Sequence, residues 1–402
     1  MNDITSVGVL GTGTMGAGIG QVAAEAGLDV RLFDPVPGAT ERAMETVRSF
    51  LDRKVDKGIL TGEDAMAAKG RLHPVTALGE LATADIVIEA IPEDLELKRD
   101  AVRQLDGLAA PAAILATNTS SLSVARIASA ARQPGRVVGM HFFNPVPLMG
   151  LVEVVAGPMT DPAVVDAVAL LGRRLGKTPV VAADTPGFIV NRVQRALYLE
   201  GFRIHEEGRA EVEQIDDAMR GIDFRLGPFE LADVVGTDVN LAAGAAIFAG
   251  FDGDPRYRPC QVQRRVVDAG RLGRKSSAGY YDYAPDGTRG AAWAALRRPA
   301  GTLRPSALDA AQIEARVLAA IVNEAASAVA DAVAAPDAID TAMRLASNWP
   351  DGPLAWGERI GLASVVHTLD TLHAVVPDGR YRVTPLLREL GSAGGTFFPG
   401  RG

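Results

Sequence analysis

One stretch near the N-terminus constrains this chain more than any other. Residues 4–10 read as a buried strand, and Gly11-Thr12-Gly13-Thr14-Met15-Gly16 follows at once. Residues 17–26 then read as a helix ended by Gly27, and residues 30–33 as a second strand closed by Asp34. A lone GxGxxG says little. Strand, glycine turn, helix, strand and acid in this order is specific for a dinucleotide-binding βαβ unit. Gly11 allows the tight turn, Gly13 lets the backbone approach a pyrophosphate, and Gly16 lets helix and strand pack closely. The helix N-terminus offers uncapped N–H groups to the phosphates. Asp34 would accept hydrogen bonds from the adenosine ribose and repel a 2′-phosphate, which favours NAD over NADP.

A second stretch carries chemistry. Residues 137–140 and 151–155 read as strands, joined through the turn Asn144-Pro145-Val146-Pro147. They hold one polar pair, His141 and Glu153, inside apolar runs. A carboxylate beside a histidine fixes its tautomer and stabilises the imidazolium, as a general base requires. A core histidine with a structural carboxylate partner reads equally well from these residues.

Between these stretches, residues 39–60 and 61–69 read as a helical pair inserted into a doubly wound sheet. Thr61 caps the second helix, with Glu63 and Asp64 in its first turn. Most of the charges there suit a solvated face; Lys57 is the one put forward for an anionic substrate tail. Residues 84–90 and 113–116 are further strands. They deliver Glu93, Lys98 and the run Thr117-Asn118-Thr119-Ser120-Ser121 to the carboxyl edge, where open parallel sheets bind ligands. Helix-cap and surface-pair roles fit the same residues.

The composition shifts to helical near Asp184. The reading is α/β: a Rossmann-type doubly wound sheet over 1–183, with its insertion at about 39–70. A helical domain follows over 184–283, then a Pro-, Gly- and Arg-rich linker over 284–305. A second, degenerate copy of the helical domain spans 306–402. The copies align at Glu200 with Glu324, at Ile215-Asp216-Asp217-Ala218-Met219 with Ile339-Asp340-Thr341-Ala342-Met343, and at Gly236 with Gly361. Asn191, early in the first copy, is replaced by Ala315 in the second, which therefore looks structural. Two matched helical units can bury their apolar faces on each other as dimer subunits do, so a monomer with an internal pseudo-dimer and a homodimer are both expected forms.

A net charge of −8 argues against a nucleic-acid footprint. A single cysteine, Cys260, suits a reducing compartment, and no leader or bilayer-length apolar run is apparent; these point to the cytoplasm and away from a membrane. Five scattered histidines offer no metal-ligand spacing.

Six motifs in order resemble the L-3-hydroxyacyl-CoA dehydrogenase family, near its bacterial 3-hydroxybutyryl-CoA and 3-hydroxyadipyl-CoA members. They are residues 11–20, 118–122, 141–147, 151–154, 184–192 and 272–275. The resemblance implies NAD-dependent, reversible oxidation of an L-3-hydroxyacyl-CoA thioester, short-chain by preference. It makes His141 the general base and Glu153 its partner, with Ser120 and Asn191 contacting substrate. It assigns NAD contacts to Gly11, Thr12, Gly13, Thr14, Met15, Gly16, Asp34, Glu93, Lys98, Ser120 and Lys275. The sequence departs from the family on the inserted helices, where Phe50 replaces a small polar residue and only Lys57 carries over for CoA. Gly150 replaces a common lysine. A dehydrogenase of free hydroxy or sugar acids, or a non-catalytic NAD-binding protein, are the alternatives.

Overall fold

The computed structural model describes residues 3–297 and 307–400. It divides into two compact units, Met1–Phe188 and Ile189–Gly402.

The first unit is an eight-stranded sheet. In chain order it runs β1 (Ser6–Leu10), α1 (Thr14–Glu25), β2 (Asp29–Phe33), α2 (Ala39–Asp56), α3 (Gly62–Gly70), β3 (Leu72–Pro74), α4 (Leu78–Leu81) and β4 (Ile86–Glu89). It continues with α5 (Leu95–Leu108), β5 (Ile114–Thr117), α6 (Val124–Ala128), β6 (Val137–Phe142), β7 (Leu151–Ala156), α7 (Pro162–Arg174) and β8 (Thr178–Ala183). The strand order is β3-β2-β1-β4-β5-β6-β7-β8. All neighbours pair in parallel except β6 and β7.

Successive side chains on a strand point to opposite faces. Val7, Val9, Ile86 and Ile88 therefore join one apolar cluster, with α1, the inserted α2–α3 pair and α7. Leu10, Val87 and Leu115 join the other, with α5 and α6. Both clusters are buried, and burial on both faces is what a parallel sheet requires. The second inserted helix begins where the sequence places its cap: Thr61 Oγ1 accepts from the Asp64 N–H. Strand β3 escaped the sequence reading. It is three residues long, ends in Pro74 and lies at the sheet edge, where proline costs no ladder bond.

The second unit is built on repetition. It contains α8 (Val190–Glu206), α9 (Val212–Gly221), α10 (Pro228–Val235), α11 (Thr237–Gly250), α12 (Gln261–Asp268) and the hairpin β9 (Tyr281–Tyr283) with β10 (Arg289–Ala292). It then runs through α13 (Ala310–Ala330), α14 (Pro336–Ser347), α15 (Pro353–Ile360), α16 (Leu362–Val375) and α17 (Pro385–Ala393). The five helices α13–α17 repeat α8–α12 in order. The repeated Ile-Asp-x-Ala-Met motif has a physical reason. Asp216 accepts from the Phe229 and Glu230 N–H groups at the start of α10, and Asp340 accepts from Leu354 and Ala355 at the start of α15. Each aspartate caps the next helix of its own copy.

One expectation is corrected here. Part of the stretch 284–305, read as linker, is ordered: Arg289–Ala292 pairs antiparallel with Tyr281–Tyr283. Residues 298–306 lie outside the described residues. Among the described residues no single helix is long and apolar enough to cross a membrane, and no group of three His, Cys, Asp or Glu side chains could hold a metal ion.

Candidate active site

The glycine turn follows β1 directly. Gly11 has φ +89°, and a Cβ there would lie 2.8 Å from the Ala90 carbonyl. A Cβ on Gly16 would collide with the Gly11 carbonyl oxygen, so the helix can return this close to the strand only with glycine. A Cβ on Gly13 would meet nothing within 4 Å. Space is therefore open in front of the helix, and α1 begins there without a side-chain cap. Exposed Gly13 and Thr14 present its first amides to that space, with half-buried Met15 behind them. Uncapped amides at a helix N-terminus beside open space fit a pyrophosphate. Asp34 closes β2. Its Oδ2 accepts from the Thr12 N–H (2.8 Å) and hydroxyl (3.2 Å), and its Oδ1 from the Val36 N–H (2.9 Å). The acid is thus locked against the glycine turn, as ribose recognition there requires.

Glu93, just past β4, gathers the loop after β5. Its Oε1 accepts from the Thr119 hydroxyl (2.8 Å), the Ser120 N–H (2.9 Å) and hydroxyl (3.2 Å), and the Ser121 N–H and hydroxyl (both 3.0 Å). Burial pushes the Glu93 carboxyl up, but Lys98 and these donors outweigh it and hold it below the usual carboxylate range.

Lys98 is not a surface pair: its side chain is only 1% exposed. Its ammonium donates to Glu89 Oε1 (2.6 Å), lies 3.4 Å from Glu93 Oε2, and so stands behind Glu93. Glu89, the last residue of β4, also accepts from the Thr117 hydroxyl (2.6 Å) and the Ile91 N–H (2.8 Å). Sequence reading passed over Glu89. The available signal was a lone acid ending an apolar strand, nine residues before a lysine. Glu89→Gln should leave Lys98 short of its nearest counter-charge and cost about 3 kcal/mol of stability, with weaker NAD binding. Urea midpoints and NAD titration of the purified variant check this; unchanged values of both would refute the role given to Glu89.

At the other end of the edge, β6 and β7 pair so that His141 stands directly opposite Glu153. Directly opposed residues share one face of an antiparallel pair. His141 Nδ1–H donates to Glu153 Oε2 (2.7 Å), and the two side chains are 7% and 0% exposed. With the proton on Nδ1, Nε2 carries the lone pair. Phe143 and Phe188 flank the imidazole, with centroids 4.5 Å and 5.9 Å away. Phe188 holds φ at 49°, a costly left-handed conformation for an aromatic residue. Asn118 Oδ1 accepts from the Phe142 N–H (2.9 Å), tying the Ser120 loop to the end of the histidine strand. Lys177, also passed over in the sequence, grips the turn between β6 and β7. It donates to the Val146 and Met149 carbonyls (2.5 and 2.8 Å).

The first unit therefore brings together the glycine turn with Asp34, Glu93 with Ser120 and Lys98, and His141 with Glu153. Lys57 lies exposed at the end of α2. In the second unit, half-buried Asn191 opens α8, and exposed Lys275 donates to both carboxylate oxygens of Asp238 (2.7 Å each).

A doubly wound sheet with this edge belongs to an NAD-dependent dehydrogenase. Comparison with known proteins narrows the class. The NAD-binding domain of 3-hydroxyacyl-CoA dehydrogenase matches residues 6–185, and its C-terminal domain matches twice, over 187–283 and 313–396. The chain belongs to the 3-hydroxyacyl-CoA dehydrogenase family. It is 39% identical to the 3-hydroxyadipyl-CoA dehydrogenase of Escherichia coli K12, over 97% of this chain and 98% of that protein. The crystal structure of a 3-hydroxybutyryl-CoA dehydrogenase from E. coli K12 superposes with a TM-score of 0.88 at 37% identity, covering 98% of this chain and all of that one. The (S)-3-hydroxybutyryl-CoA dehydrogenase of Ralstonia eutropha, at 41% identity and TM-score 0.68, covers 70% of this chain and all of its own. Both helical copies thus find counterparts in some relatives, while others match only 70% of the chain.

Proposed function

We propose that this chain oxidises the 3-hydroxyl of an L-3-hydroxyacyl-CoA to the 3-oxoacyl-CoA, reversibly, with His141 as the general base. The observation that carries the reading is the buried His141–Glu153 hydrogen bond on Nδ1, which leaves Nε2 to accept a proton. Bound NAD supplies the hydride acceptor. His141 Nε2 takes the hydroxyl proton, and Glu153 stabilises the resulting imidazolium across the 2.7 Å bond. Phe143 and Phe188 pack beside the buried ring, and the low polarity there strengthens that charge interaction. Ser120, held on Glu93, orients the reacting hydroxyl. Asn191 is assigned the thioester, and Lys275 and Lys98 the support of the cofactor, by their correspondence to family positions; Lys57 is the candidate for the CoA tail.

The first helical copy is the functional one in this reading, and the second, with Ala315 in place of Asn191, stands in for a partner subunit. A monomer with an internal pseudo-dimer and a homodimer both fit it, in the cytoplasm. No nucleic acid or membrane partner enters it.

The test is a kinetic panel: acetoacetyl-CoA and free acetoacetate, each with NADH and with NADPH. Turnover should be confined to the thioester. Asp34 should make NADH better than NADPH by about 10²-fold in kcat/KM, and Asp34→Ala should shrink that ratio. Preferential turnover of the free acid would sink the thioester assignment.

A further inference from the structure

The pairing register sets His141 against Glu153. It does not set where the end of the β6–β7 hairpin lies against α1, whose N-terminus faces the open space for the pyrophosphate. The connection between these strands, residues 143–150, carries no charge of its own. Two contacts place it. One turn beyond Thr14 on α1, Gly18 lets the connection rest directly on the helix. A Cβ there would lie 2.9 Å from Val146 Cβ and 3.4 Å from Pro147 Cδ. Val146 is 2% exposed and joins the same apolar cluster as Met140, Phe142 and Val152 of the hairpin and Ile19 and Val22 of α1.

The second contact is Lys177, just before β8 and 8% exposed. Its backbone is fixed on both sides. Its own N–H donates to the Gly172 carbonyl of α7 (3.0 Å), and the next, of Thr178, donates to the Gly150 carbonyl (2.7 Å). From there its Nζ donates to the Val146 carbonyl (2.5 Å) and the Met149 carbonyl (2.8 Å), on either side of exposed Leu148. Among the described residues it has no carboxylate at ion-pair distance. Glu25, the acid that acts on it, is taken by Lys54 (2.6 Å). Burial pulls the Lys177 amine below the ordinary lysine range, with Lys54 adding to this and Glu25 opposing it. An apolar side chain would fill the same place without that desolvation cost. What the amine adds is two hydrogen bonds, both to the connection that follows the histidine strand.

We infer that Lys177 is a positioning residue for the hydride-transfer reaction: it holds the 143–150 connection down on α1, so that the His141 imidazole and the amides offered to the pyrophosphate keep a fixed separation. This rests on the general-base reading of His141. One helix then sets both ends of the chemistry. Its first turn faces the cofactor phosphates, and its next turn carries the end of the histidine hairpin. A misplacement of about 1 Å between reacting groups can cost about 10²-fold in rate, so a small lift of the hairpin is felt at the imidazole.

The test uses the full chain with NADH and acetoacetyl-CoA in a single turnover, where loss of NADH absorbance reads the hydride step. In Lys177→Met that step should slow by about tenfold or more, with the Kd for NADH within about twofold of wild type. Lys177→Arg, which keeps donors at the same place, should recover part of the rate. Gly18→Ala presses on the same connection from the helix side, and should slow the step by about threefold or more with Lys177 intact. A folded Lys177→Met chain with a lowered melting temperature and the wild-type hydride rate would overturn the inference, leaving Lys177 a structural clamp. A slower step matched by an equal loss of NADH affinity would also overturn it, assigning Lys177 to the cofactor fold. Should Lys177→Met fail to fold by its melting curve, Gly18→Ala decides, and a wild-type hydride rate there overturns the inference. No turnover in the wild type would instead refute the underlying reaction, and this role with it.

Discussion

His141→Gln should fold, bind NAD as the wild type does, and lose about 10²–10⁴-fold in kcat. The glutamine amide can still donate to Glu153 but cannot accept a proton. The histidine lies on β6 at the far side of the sheet order from β2 and Asp34, with β1, β4 and β5 between. The cofactor's ribose and pyrophosphate positions should not sense the change. NAD titration by fluorescence and steady-state oxidation of 3-hydroxybutyryl-CoA check both halves. The pH profile adds a readout that a structural role would not move: the limb assigned to the base should vanish in the variant. A folded His141→Gln chain with wild-type turnover would remove His141 from the chemistry.

Glu200→Gln should destabilise the helical unit by about 3–5 kcal/mol, read as a lowered urea midpoint. Glu200 is fully buried on α8 and pairs with Arg316 on α13, which also donates to the Tyr381 hydroxyl; that hydroxyl in turn donates to Glu200 (2.8 Å). The same contacts recur with the copies exchanged. Arg192 on α8 donates to Glu324 on α13 (2.7 Å), and Tyr257 donates to Glu324 (2.6 Å). Burial alone would push Glu200 up, but Arg316 and Arg203 hold it below the ordinary carboxylate value. Removing the carboxylate strands a guanidinium that is 7% exposed and keeps only Glu207 as counter-charge. The double variant Glu200→Leu with Arg316→Met should lose less than the two single changes together, since no orphan charge remains. A single-variant loss under 1 kcal/mol would show that the reciprocal pairs are incidental.

Much of this was legible one residue at a time. The glycine turn could be read because each glycine answers a local steric demand, and Asp34 because it closes the very next strand. His141 and Glu153 could be paired because two short strands joined by a proline-rich turn leave few registers, and the apolar pattern allows one. Thr61 caps its own helix and could be read as a cap; Asp216 and Asp340 could be read as repeated positions, because each serves the next helix of its own copy.

Other features depended on neighbours far along the chain. Lys98 reads as a surface residue of an amphipathic helix. It is buried because β4 ends in Glu89, whose carboxylate it meets. Glu93 reads as an edge acid, yet it organises the Thr119–Ser121 loop, which arrives from β5. Lys177 and Phe188 carry no local signal at all; each matters through what the fold lays against it.

What the sequence determined by itself is the backbone plan, the cofactor turn, the histidine–carboxylate pair and the duplication, because each rests on steric or periodic rules that act within a few residues. What only the tertiary structure decided is which charges lose their water and which partners they then find. Desolvation depends on the whole surrounding shell, and no short segment of chain contains that shell.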